Sequence, residues 1–320
     1  MRLLTFKRGG YLGLGCLLGG EVLDLNRAFE RHLGDSFKDI EGPFNLDMLS
    51  LLDLGSRGLE EARKALSGAE ALKRGGEAQR LYEEEVLLKL EEVEVKAPIP
   101  RPRKNIVCLG LNYVEHVEEA RKRRGGSDLS LPEAPVFFTK APTSVIGPYD
   151  DIIYPRATSQ LDYEVELALV LGRRGKYISR REAYDYIAGY MVFNDVTARD
   201  LQRRHRQWFR GKSLDTFSPM GPYLVTSDEI ADPMNLEMGL KVNGETRQRS
   251  NTGNMIFKPP EILEVLSAGM TLEPGDVIAT GTPSGVGMAR GPEGLLKPGD
   301  VVEAWIEGIG ALRNRVVAER

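Results

Sequence analysis

The segment Leu161-Asp-Tyr-Glu-Val-Glu-Leu-Ala-Leu-Val170 constrains the fold more than any other stretch of the chain. Its apolar and β-branched residues predict a strand, and Leu167 to Leu171 is apolar on both faces, the pattern of a strand covered on two sides. Yet carboxylates stand at positions 162, 164 and 166, and alternation predicts that all of them leave one face. Carboxylates on a covered strand must be paired, protonated or bound to a cation. The competing reading is an antiparallel strand with one wet face, which the two-sided apolar continuation disfavours.

Around this segment the chain divides by pattern. Residues 1 to about 50 alternate short strands with turns, 51 to 90 are helical and charged, and Glu91 to Lys96 reads as a strand. Ala97-Pro-Ile-Pro-Arg-Pro-Arg-Lys104 should be extended and stiff, so the predicted boundary separates a small α+β domain (1–97) from a larger one (98–320). The larger part is strand-rich: Ile106–Leu109, Val136–Thr139, Leu161–Leu171, Tyr190–Asn194, Gly221–Thr226, Met238–Val242, Val277–Thr280 and Val301–Ile306. Helices are predicted over Asn112–Arg123, from a Ser179–Glu182 capping box to Ile187, and over Pro260–Ala268. Strands not regularly separated by helices disfavour a doubly wound parallel sheet, so the predicted class is α+β to mainly β: a mixed β-sheet, sandwich-like catalytic domain behind the small leading one.

A formal net charge of −4, from 43 basic and 47 acidic residues, gives no general reason to expect nucleic acid or a membrane surface as partner. No run approaches the roughly 20 apolar residues of a membrane span. Glu21 and Asp24 follow the first apolar stretch too closely for a signal peptide, and Cys16 and Cys108 match no metal or redox spacing. The expected compartment is the cytoplasm.

Glu164 and Glu166, at i and i+2, leave a strand about 6.6–7 Å apart, close enough to converge. Asp195 ends the apolar strand Tyr190–Asn194 and adds a third carboxylate. With no histidine or cysteine beside them they would form an all-oxygen site, which favours a hard ion such as magnesium, manganese or calcium. An anionic substrate would then need positive groups, for which Lys140, Arg199 and Lys212 are candidates, the bland reading of each being a solvated surface residue. His116 and Glu119 are one helical turn apart, so the carboxylate can orient the imidazole, though an exposed i,i+3 pair explains the spacing equally well. Thr280-Gly-Thr-Pro-Ser-Gly-Val-Gly287 is a glycine-rich turn whose N–H groups can bind anions or oxygens, but it is no P-loop. Two glycines in Arg121-Lys-Arg-Arg-Gly-Gly-Ser-Asp128 predict a mobile lid.

In order along the chain, Gly110-Leu-Asn-Tyr-Val-Glu-His116, Phe137-Phe-Thr-Lys140, Asp162-Tyr-Glu-Val-Glu166, Asn194-Asp-Val-Thr-Ala-Arg-Asp200, Gly211-Lys-Ser213 and Ile278-Ala-Thr-Gly-Thr-Pro-Ser-Gly-Val-Gly287 resemble the fumarylacetoacetate hydrolase family, in its acylpyruvase and 2-hydroxyhepta-2,4-diene-1,7-dioate isomerase-like branch. The resemblance runs from near Asn105 to the C-terminus. It implies a β-sandwich-like fold, a homodimer, and Glu164, Glu166 and Asp195 as ligands of magnesium or manganese. It also implies that His116 and Glu119 form the dyad that activates water, that Lys212 belongs to the catalytic set, and that Lys140, Arg199, Gln202 and Thr282 line the substrate site. The activity expected on this basis is hydrolysis of an acylpyruvate-type 2,4-dioxo acid with release of pyruvate. The alternatives are an isomerase, tautomerase or decarboxylase of a 2-hydroxymuconate-like or oxaloacetate-like 2-oxo acid and, outside enzymes, a binding protein whose chemistry has lapsed. Asp162 is expected beside the site or on the surface.

Overall fold

A computed structural model of the protein describes residues 1–41, 43–123 and 130–320; most of the expected lid, Arg121–Asp128, lies outside them. Strands β1 (Arg2–Arg8), β2 (Tyr11–Leu18) and β3 (Glu21–Asp24) form an antiparallel meander. Asp24 caps helix α1 (Leu25–Glu30) by accepting the Arg27 N–H. Helices α2 (Met48–Asp53), α3 (Ser56–Arg74) and α4 (Ala78–Glu83) follow, and α3 buries Ala62, Ala65 and Ala69 along one helical stripe. Short strands β4 (Leu87–Lys89) and β5 (Glu94–Lys96) return to β3 and β1.

The longer second part contains β6 (Ile106–Gly110), α5 (Val114–Arg123), β7 (Val136–Lys140), β8 (Val145–Ile146), β9 (Ile152–Tyr154), β10 (Leu161–Asp162), β11 (Val165–Leu171), β12 (Ile187–Asn194) and β13 (Thr197–Ala198). It continues through α6 (Arg199–Arg204), α7 (Phe209–Lys212), β14 (Ser218–Thr226), β15 (Glu237–Val242), β16 (Glu245–Asn251), α8 (Pro259–Ser267), β17 (Val277–Ala279), β18 (Val301–Ile306) and β19 (Gly310–Ala318). Among the described residues a 12-stranded mixed sheet runs β4-β3-β2-β1-β14-β12-β11-β17-β6-β7, with β5 on β1 and β8 on β14. A five-stranded sheet, β16-β15-β18-β19-β9, packs over it. The mixed α+β, mostly sheet class predicted from the sequence is the class observed.

β11 sits in the middle of the main sheet, between β12 and β17, and every one of its residues is buried. Its odd positions, Val165 to Leu171, pack against Met238, Leu240, Val302 and Leu312 of the second sheet. Ala168 and Val170, on the other face, pack with Leu3, Phe29, Ala62 and Ala65 from the first 97 residues. That is the physical reason for a run apolar on both faces. β1 joins β14 through Arg2↔Val225 and Leu3↔Leu224, so the sheet continues across the proline-rich joint.

Several local expectations need correction. The predicted Ser179–Ile187 helix is only a 3₁₀ turn at Ala183–Tyr186, although the Ser179 hydroxyl does reach Glu182 at 2.6 Å. The predicted helix from Asn112 begins at Val114, because the Asn112 amide is occupied with Phe257 and the Thr280 carbonyl. Strands β4, β8, β9, β13, β16 and β19 went unpredicted. β16, Glu-Thr-Arg-Gln-Arg-Ser-Asn, contains no apolar residue, but the preceding Asn243-Gly244 has positive φ at both positions (52° and 82°), the signature of a tight hairpin turn.

Candidate active site

The site forms where a long strand was expected and is interrupted. Between β10 and β11 the Tyr163 N–H turns to Asp162 Oδ1 (2.9 Å), the Glu164 N–H donates to Asn194 Oδ1 (3.0 Å) and the Val165 N–H donates to Gln248 Oε1 (3.0 Å). Side chains thus take donors that a ladder would use. The Asp195 N–H donates to the Glu164 carbonyl at 2.8 Å and ties the end of β12 to the interruption. Glu164, Glu166 and Asp195 converge as a result, all buried, each offering a carboxylate oxygen within 4.8 Å of the others.

Three buried cations surround them. Lys212 Nζ donates to Glu164 Oε2 (2.7 Å) and Asp195 Oδ2 (2.5 Å), and Lys140 Nζ donates to Asp195 Oδ1 (2.5 Å) and the Val196 carbonyl (3.0 Å). Arg199 bridges Glu164 and Asp162, its Nε lying 2.8 Å from Asp162 Oδ2. Asp162 is therefore not a surface residue. It is fully buried, and besides Arg199 it accepts the N–H groups of Gly287 (2.7 Å), Met288 (3.0 Å) and Tyr163. Four buried carboxylates thus face three buried cations, a formal excess of one negative charge.

Burial, and then the like charges of Asp195 and Glu164, push the Glu166 carboxyl well above the usual range. Glu164 goes the other way: against burial, Arg199 and Lys212 hold it well below that range. Burial draws the Lys140 ammonium down, whereas Asp195 and Glu164 outweigh burial at Lys212 and raise it. Among the described residues the Gly281 N–H on Oε2 at 2.9 Å is the one hydrogen bond to the Glu166 carboxylate, and together with the Lys212 charge it offsets burial only in part. A cation among three convergent carboxylate oxygens would supply the rest, and the all-oxygen donor set suits a hard divalent ion. The residues fit a metal.

His116 and Glu119 lie on α5, with Nδ1 of the imidazole 3.5 Å from Glu119 Oε2. Both atoms are buried and make no closer hydrogen bond among the described residues. The glycine-rich turn does bind anions, but they are the protein's own. Gly281 N–H holds Glu166, Gly285 N–H holds Glu119 Oε1 (3.0 Å), and Gly287 N–H holds Asp162.

A cavity of about 780 Å³ opens over this floor. Of the predicted site residues, His116, Glu119, Glu164, Glu166, Arg199, Gln202, Lys212 and Thr282 line it. Lys140 and Asp195 do not. Lys140, expected to line the substrate site, is fully buried behind Asp195 and acts on the cavity only through that carboxylate. Thr282 is held by Gln248, whose amide donates to its hydroxyl at 2.8 Å. The sequence reading left Asp162 between a place beside the site and the surface, and passed over Gln248 and also Trp208, Arg203 and Arg206 on the cavity wall. For Asp162 the signal was present, a third carboxylate in phase with Glu164 and Glu166. Gln248 sits in a wholly polar strand and gave none.

Comparison with known proteins places the chain. The family model described as fumarylacetoacetate (FAA) hydrolase C-terminal matches residues 105–317. The oxaloacetate tautomerase YisK of Bacillus subtilis (strain 168) is 51% identical over 229 residues, 71% of this chain and 74% of that one. The mitochondrial oxaloacetate tautomerase FAHD2A of Bos taurus is 42% identical over 323 aligned positions, 99% of this chain and 92% of that one. Among solved structures, the fumarylacetoacetate hydrolase of the psychrophile Exiguobacterium antarcticum superposes with a TM-score of 0.75 at 36% identity, covering 100% of both chains. The names of these sequence relatives contradict the expected carbon–carbon hydrolase and favour the tautomerase alternative. Among the described residues no helix is long and apolar enough to cross a membrane. Because that family model spans more than half of the chain and the FAHD2A relative matches nearly all of it, the chain belongs to the fumarylacetoacetate hydrolase family.

Proposed function

We propose that the protein is a divalent-metal-dependent keto–enol tautomerase acting on a short 2-oxo dicarboxylate of the oxaloacetate class. This replaces the acylpyruvate hydrolase expected from the sequence. The observation that carries the reading is full-length similarity to relatives named oxaloacetate tautomerase, in a chain whose cavity sets one imidazole over a carboxylate triad. Glu164, Glu166 and Asp195 would hold the ion, magnesium or manganese, with calcium as a further candidate. When bound, such an ion supplies Lewis-acid stabilisation of the enolate character of a 2-oxo acid.

The rest is the work of side chains. Glu119 engages the Nδ1 side of His116, which leaves Nε2 for the cavity. In the enol-to-keto direction His116 delivers a proton to C3 while the enol hydroxyl releases one to solvent; in the reverse direction it removes the C3 proton and solvent returns one to the oxygen. Arg199 and Lys212 hold Glu164 charged, and Lys212 and Lys140 form direct ion pairs with Asp195. Gln202, hydrogen-bonded to Arg199 Nη1 at 3.2 Å, and Thr282 present polar groups to the bound acid. Tautomerisation conserves every atom of the substrate, so no water has to be activated.

The test follows ultraviolet absorbance of the enol form of oxaloacetate with magnesium-loaded protein. We expect decay faster than in magnesium buffer alone, and a His116→Ala variant that keeps its metal affinity but loses about 10² to 10⁴ of the rate. A His116→Ala variant as fast as the parent removes the imidazole from the mechanism.

A further inference from the structure

Every cation at the floor of the cavity is already matched by a buried carboxylate. Arg199 is held by Asp162 and Glu164, Lys212 by Glu164 and Asp195, and Lys140 by Asp195. The cavity wall differs. Arg203 and Arg206 line the same cavity, both exposed to solvent, and among the described residues neither has a carboxylate partner. The one side-chain hydrogen bond of Arg203 there goes to the neutral Gln160 amide oxygen.

Their placement follows from helical geometry. Arg199, Gln202 and Arg203 stand at i, i+3 and i+4 from the start of α6 and so share a face. Arg206 lies past the helix end in a left-handed conformation (φ 57°) that turns the chain back toward the cavity. Arg204 and His205, between them, do not line it. One short element therefore carries a paired guanidinium at the buried end of the cavity and two unmatched ones nearer its mouth.

We propose that Arg203 and Arg206 recognise a second, distal carboxylate, and that through them the enzyme selects dicarboxylic over monocarboxylic 2-oxo acids. The proposal rests on the reading of this cavity as a 2-oxo acid site. Guanidinium groups suit the task, because their planar donors match carboxylate oxygens in pairs.

Pyruvate is oxaloacetate without the distal carboxylate, so the pair isolates the effect. Trp208 lines the cavity, whereas the other tryptophan, Trp305, packs on Gly239 in the second sheet, so quenching of Trp208 reports binding. Titrations of magnesium-loaded parent, Arg203→Gln/Arg206→Gln and the control Arg204→Gln should give a clear pattern. The parent binds oxaloacetate about tenfold or more tighter than pyruvate, the double variant loses about that factor for oxaloacetate, and its pyruvate affinity changes by less than about twofold. Arg204→Gln leaves both affinities in place. Unchanged oxaloacetate affinity in the double variant, or equal weakening of both ligands, overturns the proposal. A parent that discriminates in this way yet fails to accelerate enol decay defeats the tautomerase reading while this assignment stands. Should the double variant misfold by circular dichroism, the two single substitutions carry the same comparison.

Discussion

Asp162 has its hydrogen-bonding capacity filled by three backbone N–H groups and the Arg199 guanidinium, all at 2.7–3.0 Å. It joins the cation beside Glu164 to the loop that walls the cavity. Asp162→Asn would turn an amide donor toward a ring of donors and leave Arg199 with one carboxylate fewer. We predict a loss of about 3–5 kcal/mol in denaturant titrations, as when a buried pair is broken from one side. Far from the site, burial pushes the Asp24 carboxyl up to about 6 from an ordinary 3.8, against the hydrogen bonds from the Arg27 N–H and Tyr11. The folded state then holds this proton more tightly than the unfolded chain. The contribution is present in full below about pH 4 and is lost as pH rises through about 6. Asp24→Asn keeps a cap without the titration, so its stability relative to the parent should rise by roughly 3 kcal/mol at most between those pH values. Chemical denaturation at both pH values measures it. At this scale the Glu164–Glu166 spacing and the His116–Glu119 pairing were legible as short local patterns, and Asp195 as the end of an apolar strand. Lys140, expected to line the substrate site, instead lies buried behind Asp195, a depth that no local pattern records.

The glycine turn after β17 acts as a clasp for the site's own acids. Gly285 has φ +98°, and a Cβ there would stand 2.1 Å from the Arg247 carbonyl oxygen. Gly285→Ala should displace the N–H that holds Glu119 and cost about 1–3 kcal/mol of stability, with activity falling through a misaimed His116. A kcat decrease larger than any change in metal affinity would identify that route. The sequence showed that the turn could bind oxygens but not whose, because Glu119, Glu166 and Asp162 reach it from elements 115 to 166 positions away. β11 was legible for the opposite reason: its covering on both faces is stated in its own composition. Its interruption before Val165 was not, since that depends on Asn194 and Gln248.

In the whole molecule, one sheet runs from the first strand into the centre of the site-bearing part, and the core on one face of β11 is completed by α1 and α3. We predict that a chain lacking residues 1–97 exposes Ala168, Val170, Met191, Phe193 and Leu224 and aggregates; a monodisperse, two-state fragment on size exclusion and urea unfolding would contradict this. Magnesium should stabilise the intact protein by mass action, raising Tm with concentration, and Glu166→Ala should abolish that rise. The proline-rich joint was visible as a stiff, extended segment, but the strand pairing across it was not, because Leu3↔Leu224 is a contact between distant parts of the sequence. The most direct test of the central claim is proton NMR of oxaloacetate with magnesium-loaded protein in deuterium oxide. A tautomerase exchanges the C3 protons for deuterium faster than magnesium alone while all four carbons stay together. No acceleration, or pyruvate growing in as the main product, would contradict it.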